Sequence, residues 1–205
     1  MPLWQSPHPL VLASKSEIRR ALLEAAGIDV TVEPADIDER MVEAQSGAKD
    51  PSMVATLLAR EKARAIAARK AEDSTLVLGA DQTLALGNRR FSKASDRNAA
   101  RAQLSELRGK THTLHSGIAV ARAGGEVVFE HCDIARLTMR DFSEAFLDRY
   151  MKVAGDAVLA SVGGYQLEGL GIQLFEKIEG DHFTILGLPL FPLLDWFRAR
   201  GILAK

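Results

Sequence analysis

Cysteine is nearly absent from this chain: Cys132 is the single one in 205 residues. That excludes an internal disulfide and any metal site built from several thiolates, and it suits a reducing compartment, so a cytoplasmic location is expected. No apolar run is long enough to span a bilayer, and residues 1–9 hold no signal-like apolar core, so no membrane role is expected. Net charge is also missing: 26 Lys and Arg stand against 27 Asp and Glu, a formal −1. Aromatics are scarce at 6% and never interleave with basic residues on a strand. With neither a basic field nor a base-stacking surface, no stable nucleic-acid partner is expected. His112, His115 and His131 fall on two strand-like runs without a helical H-x-x-x-H pairing. This disfavours zinc and reads as partly exposed strand histidines.

What is present suits a globular enzyme. The chain is 47% hydrophobic and 26% charged, enough for a good core in one domain over residues 1–205. The most informative stretch is Leu10 to Arg20. An apolar run stops at Ala13, and Ile18, Ala21, Leu22 and Ala25 then recur at helical spacing, with Gly27 at the left-handed stop. Ser14 followed by Glu17 fits a capping box. Ser14, Ser16, Arg19 and Arg20 crowd a helix amino end, where unpaired N–H groups and the helix dipole favour an anion such as phosphate. A capped helix with solvated arginines would look the same.

Further along, residues 29–33 alternate as a strand, and Asp36, Asp38 and Glu39 form an acidic loop. That loop is either solvated or a source of carboxylates for a hard cation. Asp50-Pro51 opens a helix to about Ala71, with Val54, Leu57, Leu58 and Ala65 inward. One of its many cations could turn inward. Thr75 to Ala80 reads as a central strand ending at Asp81-Gln82, where an acid either caps a turn or catalyses. Residues 84–91 read as a hairpin followed by Lys93. Ser95 caps a helix to Leu107, with Ala99, Ala102 and Leu107 inward. Two long strands follow, 111–121 and 126–138. Ser143 caps a helix to Val153, with Phe142 and Leu147 as a staple. A glycine-rich segment, a strand over 172–178 and a last helix opening at Gly187-Leu188-Pro189-Leu190 complete the chain.

Five of these segments together resemble the Maf family, also called septum-formation proteins, which are nucleoside triphosphate pyrophosphatases. They are Leu-Ala-Ser-x-Ser-x-x-Arg-Arg at Leu12 to Arg20, Gly-Ala-Asp at Gly79 to Asp81, Lys93, Gly-x-Thr-His at Gly109 to His112, and Gly-Leu-Pro-Leu at Gly187 to Leu190. The chain departs at Ser92-Lys93-Ala94, where the family carries Gly-Lys-Pro. The resemblance implies an α/β fold of the Maf and inosine-triphosphatase kind, with an elongated, twisted mixed sheet flanked by helices and two lobes around a central cleft. It implies a house-cleaning hydrolase that cuts a nucleoside triphosphate to monophosphate and pyrophosphate with Mg²⁺ or Mn²⁺. Asp81 is then the proton acceptor. Ser14, Ser16, Arg19, Lys62 and Lys93 are phosphate contacts, and Glu39 with Asp81 holds the metal. A homodimer is also implied.

Three family positions associated with base choice fall on Ile18, Gln82 and Glu168. Gln82 and Glu168 match the branch resembling 7-methyl-GTP enzymes, and a carboxylate suits the N–H donors of a methylated, cationic guanine. Ile18 stands where that branch often carries an aromatic. The alternatives are a dTTP- or UTP-preferring member of the family, or a nucleotide-binding regulator of cell division without turnover.

Overall fold

The computed structural model describes residues 2–72 and 74–205. Strands and helices follow in the order β1 (Leu10–Leu12), α1 (Glu17–Ala25), β2 (Val30–Val32), α2 (Glu39–Ser46), α3 (Pro51–Ala67), β3 (Leu76–Leu86), β4 (Arg89–Phe91), α4 (Arg97–Leu107), β5 (Thr111–Arg122), β6 (Val127–Met139), α5 (Glu144–Ala154), β7 (Phe175–Glu179), α6 (His182–Ile185) and α7 (Leu190–Ala199). The sheet has seven strands in the order β2-β1-β3-β5-β6-β7, with β4 on β3. β1 runs parallel to β2 and β3, whereas β4 on β3 and β7 on β6 are antiparallel. The mixed sheet flanked by helices is therefore as expected.

The chain divides into two compact units, and residues of β3, β5 and β6 are shared between them. The first unit takes the chain up to Gln82, Ser116–Asp133 and His182–Lys205. Here the period of two along each strand sorts side chains cleanly. Leu10, Leu12, Leu76, Leu78, Ala80, Ile118 and Val120 join Leu23 of α1 and Leu193, Trp196 and Phe197 of α7 in one cluster. Val11, Ala13, Val77, Ala119 and Ala121 join Ala59, Ala63, Ile66 and Ala67 of α3 in another. Both faces are dry, which is why these strands read as unbroken apolar runs.

Helix α3 lies unusually close to its face of the sheet, because two strand residues there have no side chain. A Cβ at Gly79 would sit 1.9 Å from the carbonyl oxygen of Ala59, and one at Gly117 2.5 Å from the carbonyl carbon of Ala55. The alanines of α3 complete the close approach.

The second unit takes Thr83–His115 and Ile134–Asp181. Leu104 and Leu107 of α4, Leu147 and Tyr150 of α5, and Leu114, Leu137 and Met139 of the strands are buried in it. The Nε2 of His112 lies 2.7 Å from the hydroxyl of Tyr165. Burial holds that imidazole neutral by pushing its pKa down to about 4.

Several sequence expectations are corrected. The cap of α1 is Ser16, whose hydroxyl accepts from the Arg19 N–H, and not Ser14. Asp96, one residue past Ser95, caps α4 by accepting from the Ala99 N–H. The acidic loop is the start of a helix: Asp38 caps α2 and Glu39 is its first residue. β3 does not stop at Asp81 but runs on to Leu86, because the hairpin arm is the same strand. α3 ends at Ala67, and its buried stripe is Val54, Ala55, Leu58, Ala59, Ala63 and Ile66. Ala100, Leu104 and Leu107 form the buried side of α4, in place of Ala99 and Ala102. His112 and His115 are buried, each bonded to a hydroxyl, while His131 is partly exposed as expected.

Candidate functional site

The site of the first unit begins at the amino end of α1. Arg19, three residues past the Ser16 cap, turns its guanidinium back onto the middle of β3. Its Nη1 donates to the Ala80 carbonyl at 2.8 Å and to the Ser14 hydroxyl at 3.2 Å, and its Nε donates to the Gly187 carbonyl at 2.8 Å. The Ser14 hydroxyl also accepts from the Ser16 N–H. Three of the five guanidinium N–H groups are thus used to hold the fork in place, and the Nη2 amine is not among them. Burial lowers the Arg19 pKa, and the nearby Asp81 and Glu39 carboxylates oppose that.

Gly187 explains one glycine of the last motif. It adopts φ +87°, and a Cβ there would meet Arg19 Nη2 at 3.1 Å. Its backbone can therefore approach the guanidinium edge-on where another residue would crowd it. The first and last motifs meet through a single side chain.

Asp81 follows Gly79 by two positions, so both face α3. The close seat of α3 at Gly79 brings the same helical turn, Ala59 to Ala63, against the strand. Lys62 lies on that turn. Its Nζ sits 2.6 Å from Asp81 Oδ1 and 2.7 Å from Glu39 Oε1. The Lys62 and Asp81 side chains are only 13% and 14% exposed, while that of Glu39 is 50% exposed. Lys62 is the cation of α3 that turns inward. Burial raises the Asp81 pKa against the opposing pull of Lys62 and Arg19. A carboxyl raised in this way is a stronger proton acceptor once ionised.

Gln82 points to the other face. Its Nε2 donates to Ser116 Oγ at 2.9 Å and lies 3.2 and 3.0 Å from the carbonyls of Thr184 and Ile185 in α6. Ser116 in turn donates to the Thr184 carbonyl at 2.7 Å. The amide nitrogen is thus committed to fixing α6, the helix that leads directly into Gly187.

Of the residues expected from sequence, Ser14, Ser16, Arg19, Lys62, Asp81 and Glu39 therefore fall in one neighbourhood. Ile18 lies half-buried in the first turn of α1. Lys93 and Glu168 belong to the second unit, where both are exposed. Sequence reasoning missed Gly117 and Ser116. For Gly117 the signal was a glycine inside a strand-like run, a mark of close backbone approach.

Whether these residues fit a divalent cation can be judged from their chemistry. Two carboxylates are what Mg²⁺ typically takes from a protein when phosphates supply further oxygens. Lys62 Nζ, touching both, is a stand-in positive charge in the right place. Among the described residues no group of three His, Cys, Asp or Glu side chains that could hold a metal gathers. The pair fits an open site shared with a polyanion.

Comparison with known proteins places the chain in a family. The chain is 53% identical over 204 residues to a nucleoside triphosphate pyrophosphatase of Bradyrhizobium diazoefficiens, covering 100% of both chains. A protein of the same name from Rhodopseudomonas palustris is also 53% identical, again over 100% of both chains. A 7-methyl-GTP pyrophosphatase of Brucella abortus is 53% identical over 192 residues, 92% of this chain and 94% of that one. The family model described as Maf-like protein matches residues 9–200, and the chain belongs to that family.

Proposed function

We propose that this chain hydrolyses a nucleoside triphosphate to the monophosphate and pyrophosphate, with a 7-methyl-GTP-like nucleotide as its preferred substrate. The observation that carries the reading is the Asp81–Lys62–Glu39 chain beside the anchored guanidinium of Arg19. The names of the relatives support the reaction class.

The reaction adds water to the α-phosphorus and breaks the bond to the oxygen bridging the α and β phosphates, so pyrophosphate leaves. Asp81 takes the proton released by the water, a task that its raised pKa favours. Arg19 and Lys62, both near enough to act on Asp81, offset the negative charge of the phosphates and of the leaving group. Ser14 and Ser16 add hydroxyls at the amino end of α1. Glu39 and Asp81 would hold Mg²⁺ or Mn²⁺. The chemistry such a cation supplies when bound is charge neutralisation and acidification of water.

Base choice is proposed for Ile18, Gln82 and Glu168, and a further phosphate contact for Lys93, on the family resemblance alone. Because the Gln82 nitrogen is tied to α6, any contact it makes with the base uses its oxygen, an acceptor that suits guanine N–H donors. The proposal extends to a homodimer in the cytoplasm.

The test is a nucleotide panel including 7-methyl-GTP, GTP, dTTP and UTP, with identification of pyrophosphate as product. The highest kcat/KM is expected for 7-methyl-GTP. Preference for dTTP or UTP overturns the substrate assignment, and release of orthophosphate alone overturns the reaction.

A further inference from the structure

We infer that Lys62 keeps the metal out until a triphosphate arrives, so that cation and nucleotide enter the site together. This rests on the metal-assisted reading above and adds an order of binding to it.

The geometry is specific. Lys62 Nζ lies at hydrogen-bond distance from both carboxylates that would hold the cation, Asp81 Oδ1 at 2.6 Å and Glu39 Oε1 at 2.7 Å. The ammonium therefore already occupies the place between them. Two like charges cannot share it. A divalent ion can take both carboxylates only if Lys62 withdraws.

Charge counting gives the same order. Arg19 and Lys62 balance Asp81 and Glu39. A divalent ion entering alone leaves a strong positive excess among side chains that are mostly buried, which costs free energy at the low effective dielectric of such a site. A triphosphate removes that excess. It also gives Lys62 a new partner, since a flexible four-carbon stem with a compact ammonium can swing from carboxylate to phosphate. Arg19, stitched to Ala80 and Gly187, has no such freedom. Thus one cation is fixed and the other is mobile.

The probe is Mn²⁺, followed by the loss of its free electron-spin signal or by calorimetry, without turnover. The wild type alone is expected to bind Mn²⁺ weakly. Lys62→Met and Lys62→Gln, which keep the stem and remove the charge, are expected to bind it at least about tenfold more tightly. In both variants Glu39→Gln is expected to cancel the gain. In the wild type, adding a triphosphate analogue with a non-hydrolysable α–β bridge is expected to tighten Mn²⁺ binding by a similar factor or more. Equal Mn²⁺ affinity in wild type and in both folded variants overturns the inference, as does tight binding of Mn²⁺ to the wild type without nucleotide. The reaction itself is read separately: absence of pyrophosphate from every nucleotide in the panel defeats the proposed function, whatever the titration gives.

Discussion

Gly79→Ala tests the link between packing and chemistry directly. The added methyl would lie 1.9 Å from the Ala59 oxygen and 2.8 Å from the Ala63 nitrogen, the two ends of one turn of α3. Neither atom is the tip of a flexible side chain, so the helix itself must retreat by more than about 1 Å before the 1.9 Å approach becomes tolerable. Overpacking of this kind costs about 1–3 kcal/mol. For a chain of this size that is a fall in Tm of about 2–12 °C. The turn that moves carries Lys62, whose bonds to Asp81 and Glu39 are short. A displacement of about 1 Å near reacting groups lowers the rate by about a hundredfold. The assay is pyrophosphate release at saturating nucleotide, with thermal melting on the same sample. Loss of both stability and turnover is expected, with native-like circular dichroism. A variant that melts within a degree of the wild type at full activity would refute the reasoning, because α3 would then not be seated as described.

Other outcomes follow from the same structure. Asp81→Asn should fold normally and lose about 10²–10⁴ in kcat. In the wild type the acid limb of kcat/KM should lie above the ordinary carboxylate range, since burial raises Asp81. The folded state then holds a proton that the unfolded chain has shed. Asp81 thus contributes stability at low pH that is lost as pH rises through its folded value, and Asp81→Asn should remove that slope. Arg19→Lys cannot reach the Ala80 and Gly187 carbonyls as a fork does, and should cost about 1–3 kcal/mol in urea unfolding together with most activity. Ser116→Ala removes an acceptor for Gln82 and a donor to Thr184, a loss of about 1 kcal/mol or more by the same measurement. His112 has the opposite sign to Asp81. The unfolded imidazole takes its proton near 6.5 and the folded one near 4, so stability present above 6.5 is lost as pH falls toward 4. The full effect is about 3 kcal/mol, and His112→Asn should flatten that part of the pH profile.

Much of this arrangement was legible in the residues. The strand–turn–helix at Leu10 to Arg20, the hairpin at Gly87-Asn88 and the Asp50-Pro51 helix start all emerged, because turn and cap chemistry is local. Asp81 and Arg19 stand out by motif, and the fold brings them together. What stayed hidden depended on distant partners. No spacing rule distinguishes Lys62 from Arg60 or Arg64 on α3, since the choice is made by Gly79 on another element. Helix α2 does not show in the sequence beyond its acidic start, because no residue of it is buried and its pattern carries no core stripe. The cap of α1 falls at Ser16, two positions past Ser14, for a similar reason. Ser14 has a hydroxyl in the right register, but the guanidinium of Arg19 and the Ser16 N–H claim it.

The Arg19–Gly187 bond joins residues 168 positions apart. A ribosome therefore delivers nearly the whole polypeptide before this arginine can find its second anchor. Nascent chains arrested ahead of Gly187 carry Ser14, Lys62 and Asp81 yet lack this anchor, and under the proposed function they are expected to be inert toward nucleotides. The same reading expects turnover to begin only once the last stretch has been made.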